Sequence, residues 1–193
     1  MENDKTYSRV RRLVRVFVAL CLPHRAEGLE NIPAEGAFLL CSNHLSDLDP
    51  FVLVALLPRH IYFMAKQELF RIPVVRWIIR VMGAFPVDRG NADLAAIRTA
   101  LGILKRGDVL GIFPQGHRYK REENKTLQTG AALIALRVKQ PVIPVQISMP
   151  MHFFRRGTVR VGKPVELSDL YGRLDSASLE EATRRIQAAI WPE

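Results

Sequence analysis

Short apolar runs alternate with amphipathic stretches along most of this chain of 193 residues. Apolar runs of about four to eight residues between turn-forming residues are typical of buried strands, and apolar positions three and four apart indicate helices. The predicted strands are His24–Leu29, Ala37–Cys41, Ile61–Ala65, Ala84–Val87, Val109–Phe113, Val142–Ser148, Thr158–Val161 and Val165–Leu167. The predicted helices are 5–22, Pro50–Leu57, Pro73–Met82, Asp93–Lys105, Thr129–Val138 and Leu179–Ile190.

This alternation predicts an α/β fold with a mostly parallel central sheet flanked by helices. No stretch rich in proline, glycine or serine divides the chain. We therefore predict a single domain over residues 23–193, preceded by an amphipathic helix over residues 1–22. In sheets of this kind, sites form outside the carboxyl ends of the strands.

The N-terminal helix carries arginines first and apolar residues last, with Arg9, Arg11, Arg12 and Arg15 among valines and leucines. Two interpretations stay open. The helix lies on an anionic bilayer, with its arginines at the lipid phosphates, or it docks on the core of its own domain. No apolar stretch near the start approaches the roughly 20 residues of a membrane span, and no signal-peptide cleavage site is recognisable.

The formal net charge of +9 favours an anionic partner, such as nucleic acid, an acidic membrane, a phosphorylated substrate or an acidic protein. Nucleic acid has no further support, because the sequence contains no helix-turn-helix, no zinc-ligand spacing and no basic strand interleaved with aromatic residues. The two cysteines, Cys21 and Cys41, form no CxxC pair. They are interpreted as small core residues and not as metal ligands.

The segment Ser42-Asn-His-Leu-Ser-Asp-Leu-Asp-Pro50 follows a predicted strand and opens a predicted helix. His44 is a candidate general base, since a carboxylate bonded to one ring nitrogen leaves the other free to take a proton. Asp49 could supply that carboxylate from the start of the helix, and Asp47 competes for the same role. The alternative is that one of the aspartates only caps the helix and that His44 is a polar loop residue.

Two further segments place arginines after predicted strands. Arg89 ends Gly83-Ala-Phe-Pro-Val-Asp-Arg, and Arg118 ends Ile112-Phe-Pro-Gln-Gly-His-Arg. Either guanidinium could hold a phosphate bidentately, and either could instead form an ordinary surface ion pair. In the second segment Pro114 and Gly116 predict a tight, exposed turn.

A fourth segment, Val142-Ile-Pro-Val145, has an apolar sequence interrupted by Pro144. A proline within a strand predicts an edge strand or a bulge. The segment could form an apolar wall beside a bound acyl chain, or simply pack in the core.

Taken together, the order and spacing of the four segments resemble those of the glycerolipid acyltransferase superfamily, and within it the 1-acylglycerol-3-phosphate acyltransferases. The resemblance extends from about Glu27 to Val145. The matching blocks are Asn43-His44-x-Ser46-x-x-Asp49-Pro50, Gly83-x-Phe85-Pro86-Val87-x-Arg89, Phe113-Pro114-x-Gly116-x-Arg118 and Val142-Ile143-Pro144-Val145.

This resemblance implies that His44 removes the proton from the acceptor hydroxyl, that Asp49 orients His44, and that the hydroxyl attacks an acyl thioester. It also implies that Arg89, Gly116 and Arg118 hold the phosphate of the acceptor. Gln115 is a further candidate substrate-binding residue, although the family usually has Glu there. His117 is the second departure, since Thr or Ser is usual at that position. The oxyanion donor is expected to be a backbone N–H near the helix start.

The expected reaction makes phosphatidic acid from lysophosphatidic acid, as a step of phospholipid synthesis, with a thioester of acyl carrier protein or coenzyme A as donor. No metal, no other cofactor and no covalent acyl-enzyme are implied. The expected location is the cytoplasmic face of a membrane, as a peripheral or monotopic protein on an anionic surface. The alternatives are transfer to another glycerol-phosphate or lysolipid acceptor, and a lipid-binding module without catalysis.

Overall fold

The sheet and its helices follow the predicted alternation. In the computed structural model, which describes residues 4–88, 93–116, 126–148, 154 and 156–192, there are seven strands and six α-helices. The strands are β1 (His24–Glu27), β2 (Phe38–Ser42), β3 (Ile61–Lys66), β4 (Phe85–Val87), β5 (Val109–Ile112), β6 (Val142–Ile147) and β7 (Gly157–Val161). The helices are α1 (Asp4–Cys21), α2 (Asp49–Leu56), α3 (Pro73–Val81), α4 (Leu94–Lys105), α5 (Gly130–Val138) and α6 (Ser176–Ile190).

The strands form one sheet in the order β1-β7-β6-β2-β5-β3-β4. The five strands from β6 to β4 are parallel to their neighbours, and β7 pairs antiparallel to β6, with β1 parallel to β7. The predicted mostly parallel sheet is therefore confirmed. Because β1 and β7 run against the other five, β1 begins at the edge of the sheet where β2 and β6 end.

Helices cover both faces of this sheet. In the central strand β2, Phe38 and Leu40 pack in the layer that contains α1, α2 and α3, whereas Leu39 and Cys41 pack against α4, α5 and α6. Every residue of β2 is buried. A parallel strand buried on both faces needs a continuous apolar sequence, which is why this segment shows no polar alternation.

Two details of the strand assignment were wrong. Residues Val165–Leu167 form no strand, and Val165 makes only a single antiparallel bridge to Val142. The interpretation of Pro144 as a sign of an edge strand also fails, because β6 lies between β7 and β2. The proline precedes the first residue pair of the β6–β7 register, Val145 with Val161, so its missing N–H interrupts no bond of that register.

Helix α6 begins at Ser176, three residues before the predicted start. The cause is a side-chain cap: Asp175 Oδ1 accepts the backbone N–H of Ser178 at 3.0 Å, and Asp175 Oδ2 accepts its hydroxyl at 2.8 Å. Such a cap satisfies donors that the helix itself leaves unpaired. These hydrogen bonds hold the pKa of the Asp175 carboxyl below its ordinary value.

Helix α1 has two apolar stripes. One stripe faces inward and includes the buried Val10 and Val18, so the helix docks on the core of its own domain. The second stripe is exposed and consists of Leu13, Val16, Phe17 and Leu20. None of the helices in the described part of the chain is long and apolar enough to cross a bilayer.

Arg11 fastens α1 to α2. Its Nε donates to the carbonyl of Val54 at 3.0 Å, and its Nη2 donates to the carbonyl of Leu57. Both carbonyls belong to the carboxyl end of α2, where backbone acceptors have no partner within the helix and where positive charge is favourable.

Replacing Arg11 with alanine is expected to lower the free energy of unfolding by about 1.5–3 kcal/mol, the range for hydrogen bonds to charged groups. The matched control is Arg12→Ala, since Arg12 is exposed on the same helix. Urea unfolding of both variants checks this. Equal midpoints for the two variants would show that Arg11 does not fasten the helix.

Candidate active site

Buried polar side chains gather at the carboxyl edge of the sheet. Among the described residues six polar or charged side chains are buried, and all but Ser178 lie at the end of β2 or just after it, just after β5, or at the start of α2. These five are Ser42, Asn43, His44, Asp49 and Gln115. Since an unpaired buried polar group is costly, such a cluster must be held by hydrogen bonds.

Asp49 organises the loop between β2 and α2. Its Oδ2 accepts three hydrogen bonds: from His44 Nδ1 at 2.8 Å, from the N–H of Leu45 at 2.7 Å and from the N–H of Ser46 at 2.8 Å. The carboxylate is fully buried, and its Oδ1 has no hydrogen-bond partner among the described groups. Of the two aspartates that the sequence offered as the partner of His44, Asp49 forms the hydrogen bond to the ring, whereas Asp47 is exposed.

The His44 ring is held on two sides. Asp49 accepts from Nδ1, which sets the tautomer because a carboxylate can only accept. Phe113 stacks on the ring, with centroids 4.1 Å apart and planes inclined by 20°. The other ring nitrogen, Nε2, bonds to no described residue and can take a proton. This is the arrangement that a general base requires.

A glycine in β5 makes room for the aromatic contacts behind His44. A Cβ on Gly111 would lie 2.3 Å from the Phe63 ring, so only glycine lets that ring pack across the strand. Phe63 in turn stacks on Phe113, with centroids 5.6 Å apart. This support of His44 could not be predicted from the sequence, because it depends on the register of β3 against β5.

The turn after β5 brings Gln115 to His44. The N–H of Gly116 donates to the carbonyl of Phe113 at 3.1 Å, and Gly116 has a φ of 76°, which favours glycine. The turn is tight, as predicted, but it is not exposed at Gln115, whose side chain is only 4% exposed. Gln115 Oε1 accepts the backbone N–H of His44 at 2.8 Å.

Gln115→Leu is expected to lower kcat by roughly 10-fold to 100-fold, because the buried N–H of His44 loses its acceptor and the loop shifts. The conservative variant Gln115→Glu keeps an acceptor oxygen and is expected to retain activity within a few-fold. Steady-state kinetics of both variants, with KM reported beside kcat, checks this. A raised KM with unchanged kcat would instead indicate that Gln115 binds substrate.

Asn43 ties the site to β6. Its Nδ2 donates to the carbonyl of Ile147 at 2.9 Å, and its Oδ1 accepts the N–H of Ile147 at 2.6 Å. The two bonds join residues 104 positions apart and fix the end of β2 against the end of β6. No role was predicted for Asn43, although its place directly before His44 in the first block was a usable signal.

Four backbone N–H groups at the helix start, where the oxyanion donor is expected, bond within the loop. The N–H groups of Leu45 and Ser46 bond to Asp49, that of Leu48 bonds to the Ser46 hydroxyl, and that of Asp49 bonds to the Ser46 carbonyl. These donors serve the loop itself. They are therefore not available to a substrate without a rearrangement of the loop.

Cys41, three residues before His44, does not supply a nucleophile. It is buried in β2 and packs in the layer opposite to α2. Burial raises the pKa of its thiol to about 12. Since the thiolate is the reactive form, chemistry through a cysteine–histidine pair is excluded at this position.

A cavity of about 360 Å³ adjoins the site on the α4 and α5 side of the sheet. Phe113, which stacks on His44, is part of its wall. Most of the other lining residues are apolar, among them Met64, Ala96, Ile97, Ile112, Leu133 and Ile134. The cavity can therefore hold an apolar chain, and Phe113 is the lining residue that contacts His44.

The residues proposed to hold phosphate are only partly described. Gly116 lines the cavity, and so does Asp88, which precedes Arg89 in the sequence. Arg89, Arg118 and His117 lie outside the described residues. No group of three or more histidine, cysteine, aspartate or glutamate side chains that could hold a metal ion occurs in the described part of the chain.

This chain is similar to several known proteins. The model of the family described as Acyltransferase matches residues 24–148. A 1-acyl-sn-glycerol-3-phosphate acyltransferase of Bacillus subtilis strain 168 is 35% identical over 146 residues, which are 72% of this chain and 72% of that protein. A protein of the same name from Streptococcus pneumoniae is 34% identical over 157 residues, which are 78% of this chain and 58% of that protein.

The fold also has a counterpart of known structure. The crystal structure of PlsC, the 1-acyl-sn-glycerophosphate (LPA) acyltransferase of Thermotoga maritima, superposes with a TM-score of 0.69 at 24% sequence identity. The match covers all of this chain and 85% of that one. At this identity the likeness shows the shared fold.

Proposed function

This chain belongs to the acyltransferase family, and from that premise we propose that it transfers a fatty acyl group from a thioester to the free hydroxyl of 1-acylglycerol-3-phosphate. The product is phosphatidic acid. The observation that carries the proposal is the buried pair of His44 and Asp49, bonded at 2.8 Å at the carboxyl edge of the sheet. The names of the two bacterial relatives support this choice of acceptor.

In the proposed reaction His44 Nε2 takes the proton of the acceptor hydroxyl while the hydroxyl oxygen attacks the thioester carbonyl carbon. The carbon–oxygen bond forms, the carbon–sulfur bond breaks, and the thiolate leaves with the proton that His44 returns. Asp49 keeps Nδ1 protonated and stabilises the imidazolium between the two proton transfers. No covalent intermediate with the protein and no metal is part of this proposal.

The substrates are assigned by chemistry. Arg89 and Arg118, together with Gly116, are proposed to hold the phosphate of the acceptor, because guanidinium groups bind phosphate bidentately. The apolar cavity beside Phe113 is proposed to take an acyl chain. The donor is a thioester of acyl carrier protein or of coenzyme A, and the positive net charge suits both.

The membrane location is part of the same proposal. The exposed apolar stripe of α1 lies beside the exposed Arg9, Arg12 and Arg15. This pattern suits a helix on an anionic bilayer, with its apolar side chains at the acyl boundary and its arginines at the phosphates. We place the protein at the cytoplasmic face of a membrane, peripheral or monotopic, where thioester donors meet the lipid acceptor.

A second candidate is transfer to another glycerol-phosphate or lysolipid acceptor. It is motivated by Gln115, which stands where the family usually has Glu and leaves the buried site without that negative charge. A lipid-binding module without catalysis is a weaker candidate, because the His44–Asp49 pair has the geometry of a working base.

The test is a panel of acceptors offered on vesicles with one acyl thioester: lysophosphatidic acid, glycerol 3-phosphate, lysophosphatidylcholine and monoacylglycerol. The proposal expects the highest kcat/KM with lysophosphatidic acid and the lowest with monoacylglycerol, which lacks the phosphate. A preference for glycerol 3-phosphate or lysophosphatidylcholine would select the second candidate. Binding of lipid without transfer to any acceptor would select the lipid-binding module.

A further inference from the structure

Exposed apolar side chains are concentrated on one side of the molecule. Twelve large apolar side chains are exposed among the described residues. Eight of them belong to α1 or to the segment from the 3₁₀ helix Gln67–Arg71 into α3: Leu13, Val16, Phe17, Leu20, Leu69, Ile72, Val74 and Trp77. Large apolar side chains exposed together on neighbouring elements mark an interaction site, because only scattered single ones are ordinary on a protein surface.

The two helices form one surface. They contact each other, and both lie in the helix layer that covers the same face of the sheet. In α3 the inward side includes the buried Ile79 and Val81, whereas Val74 is 70% exposed and Trp77 is 53% exposed. Helix α3 therefore has one apolar side towards the core and a second apolar side that is exposed, like α1.

This surface, made of the exposed sides of α1 and α3, reaches the catalytic edge of the sheet. Helix α3 follows β3 and precedes its parallel neighbour β4, so it begins at the edge where β3 ends. Helix α1 starts at the opposite edge, where Tyr7 stacks on His60 before β3, and ends before β1 at the carboxyl edge. The apolar ends of both helices thus lie at the same edge of the sheet as His44.

The charged side chains of α1 after Asp4 and of α3 are all positive, and Glu68 in the adjoining 3₁₀ helix is paired with Lys66 at 3.2 Å. Arg9, Arg12 and Arg15 are exposed on α1, and Arg76 and Arg80 are exposed on α3. Helix α3 contains no acidic residue, and α1 contains none after Asp4. Arginines flanking apolar side chains, together with a half-exposed tryptophan, are typical of helices at a bilayer interface.

We propose that α3 is a second membrane-docking element, and that α1 and α3 together seat the protein on the interface of an anionic bilayer. Trp77 lies at the headgroup level, Val74 and Ile72 lie at the acyl boundary, and Arg76 and Arg80 contact lipid phosphates. This inference extends the membrane location under the proposed function to a second element. It also turns the edge that carries His44 towards the lipid.

A second copy of the chain is the competing occupant of this surface. A symmetric dimer through α1 and α3 would bring the arginines of one copy against those of the other, because a two-fold interface pairs a patch with itself. Like charges brought together oppose association. An anionic bilayer instead supplies the complementary charge and an apolar phase in one partner.

Tryptophan fluorescence tests the position of Trp77 directly. The chain has two tryptophans, and Trp191 is buried. In the variant Trp191→Phe, the emission of Trp77 is expected to shift to shorter wavelength on addition of vesicles of phosphatidylcholine and phosphatidylglycerol, and brominated lipids are expected to quench it. In Trp77→Phe, the emission of Trp191 is expected to stay unchanged. Vesicle binding without a response of Trp77 would overturn the proposal.

A pair of matched variants tests the contribution to affinity. Val74→Glu is expected to weaken sedimentation with these vesicles by roughly 10-fold to 100-fold, since it removes the burial of one valine side chain and adds a charge of the wrong sign. Leu174→Glu, at a 43% exposed leucine near the carboxyl end of α5 in the opposite helix layer, is expected to bind like the wild type. Equal binding by the two variants would overturn the proposal.

Sedimentation velocity without lipid distinguishes the competing occupant. The proposal expects the wild type and Val74→Glu to have the same mass in solution. A dimer in the wild type that Val74→Glu dissociates would assign the surface to a second copy. Vesicle binding is measured without an acyl donor, so a loss of binding and a loss of acyl transfer are observed separately. Absence of acyl transfer would overturn the proposed function and leave the proposal for α3 standing.

Discussion

Replacing Asp49 with alanine is expected to lower kcat for acyl transfer by roughly 10⁴-fold, the loss seen when a catalytic histidine is left without its orienting carboxylate. The variant is also expected to unfold more easily. Oδ2 of Asp49 accepts the N–H groups of Leu45 and Ser46 as well as His44 Nδ1. Each buried donor left unpaired costs about 1–3 kcal/mol.

The conservative variant Asp49→Asn separates the two effects. Its amide oxygen can still accept backbone N–H groups, so we expect a smaller loss of stability than in the alanine variant. It cannot carry the negative charge that stabilises an imidazolium, so we expect most of the loss in kcat to remain. Thermal unfolding and steady-state kinetics measure the two effects on the same samples.

The matched control for both variants is Asp47→Ala. Asp47 is exposed on the same loop, two residues before Asp49. We expect its replacement to change kcat by less than a few-fold. A comparable loss at Asp47 and Asp49 would contradict the assignment of Asp49 as the orienting carboxylate.

The second large effect is expected for His44→Ala, with a loss of kcat of roughly 10²-fold to 10⁴-fold, the contribution of a positioned general base. The ring makes one side-chain hydrogen bond and one stacking contact with Phe113, and the backbone N–H that Gln115 accepts is unaffected by the substitution. Folding and vesicle binding are therefore expected to be retained.

The control for this variant is His60→Ala, at the opposite edge of the sheet. His60 stacks between Tyr7 and Tyr62, so its loss is expected to lower stability and to leave kcat within a few-fold. Retention of more than a tenth of the wild-type kcat in His44→Ala would contradict the role of His44 as the base.

The fold could be predicted from the sequence where a hydrophobic pattern repeated along the chain. Apolar runs such as Val109–Ile112 favour buried strands because they are short and bounded by turn residues, and their alternation with helices leaves few topologies open. The pairing of His44 with Asp49 was also within reach, because it spans only five residues across one loop. What the sequence could not decide was whether Asp47 or Asp49 faces the ring, since that depends on how the loop turns.

Contacts between distant parts of the chain could not be predicted. Gln115 accepts from His44 across 71 positions, which depends on the register of β2 against β5. For the same reason the turn at Gln115 was predicted to be exposed, although it is covered. Local turn chemistry predicted the shape of this turn correctly but carried no information on what would pack over it.

Helix α1 illustrates a limit of amphipathicity. The sequence left open whether its apolar residues face the core or a bilayer. The helix has one apolar stripe against the core, through Val10 and Val18, and a second exposed stripe that includes Leu13 and Leu20. The positions of apolar residues in a helical sequence do not show which of them face the core and which face outward when the helix has two apolar stripes, because both stripes add apolar residues to the same segment.

The most direct test of the central claim measures acyl transfer to lysophosphatidic acid on anionic vesicles, with wild type and His44→Ala side by side. Thioesters of acyl carrier protein and of coenzyme A are offered separately, and phosphatidic acid is quantified by mass spectrometry. We expect phosphatidic acid from the wild type with at least one donor, and a rate lower by at least about 10²-fold for His44→Ala. No product from the wild type with either donor, or equal product from both proteins, would contradict the central claim.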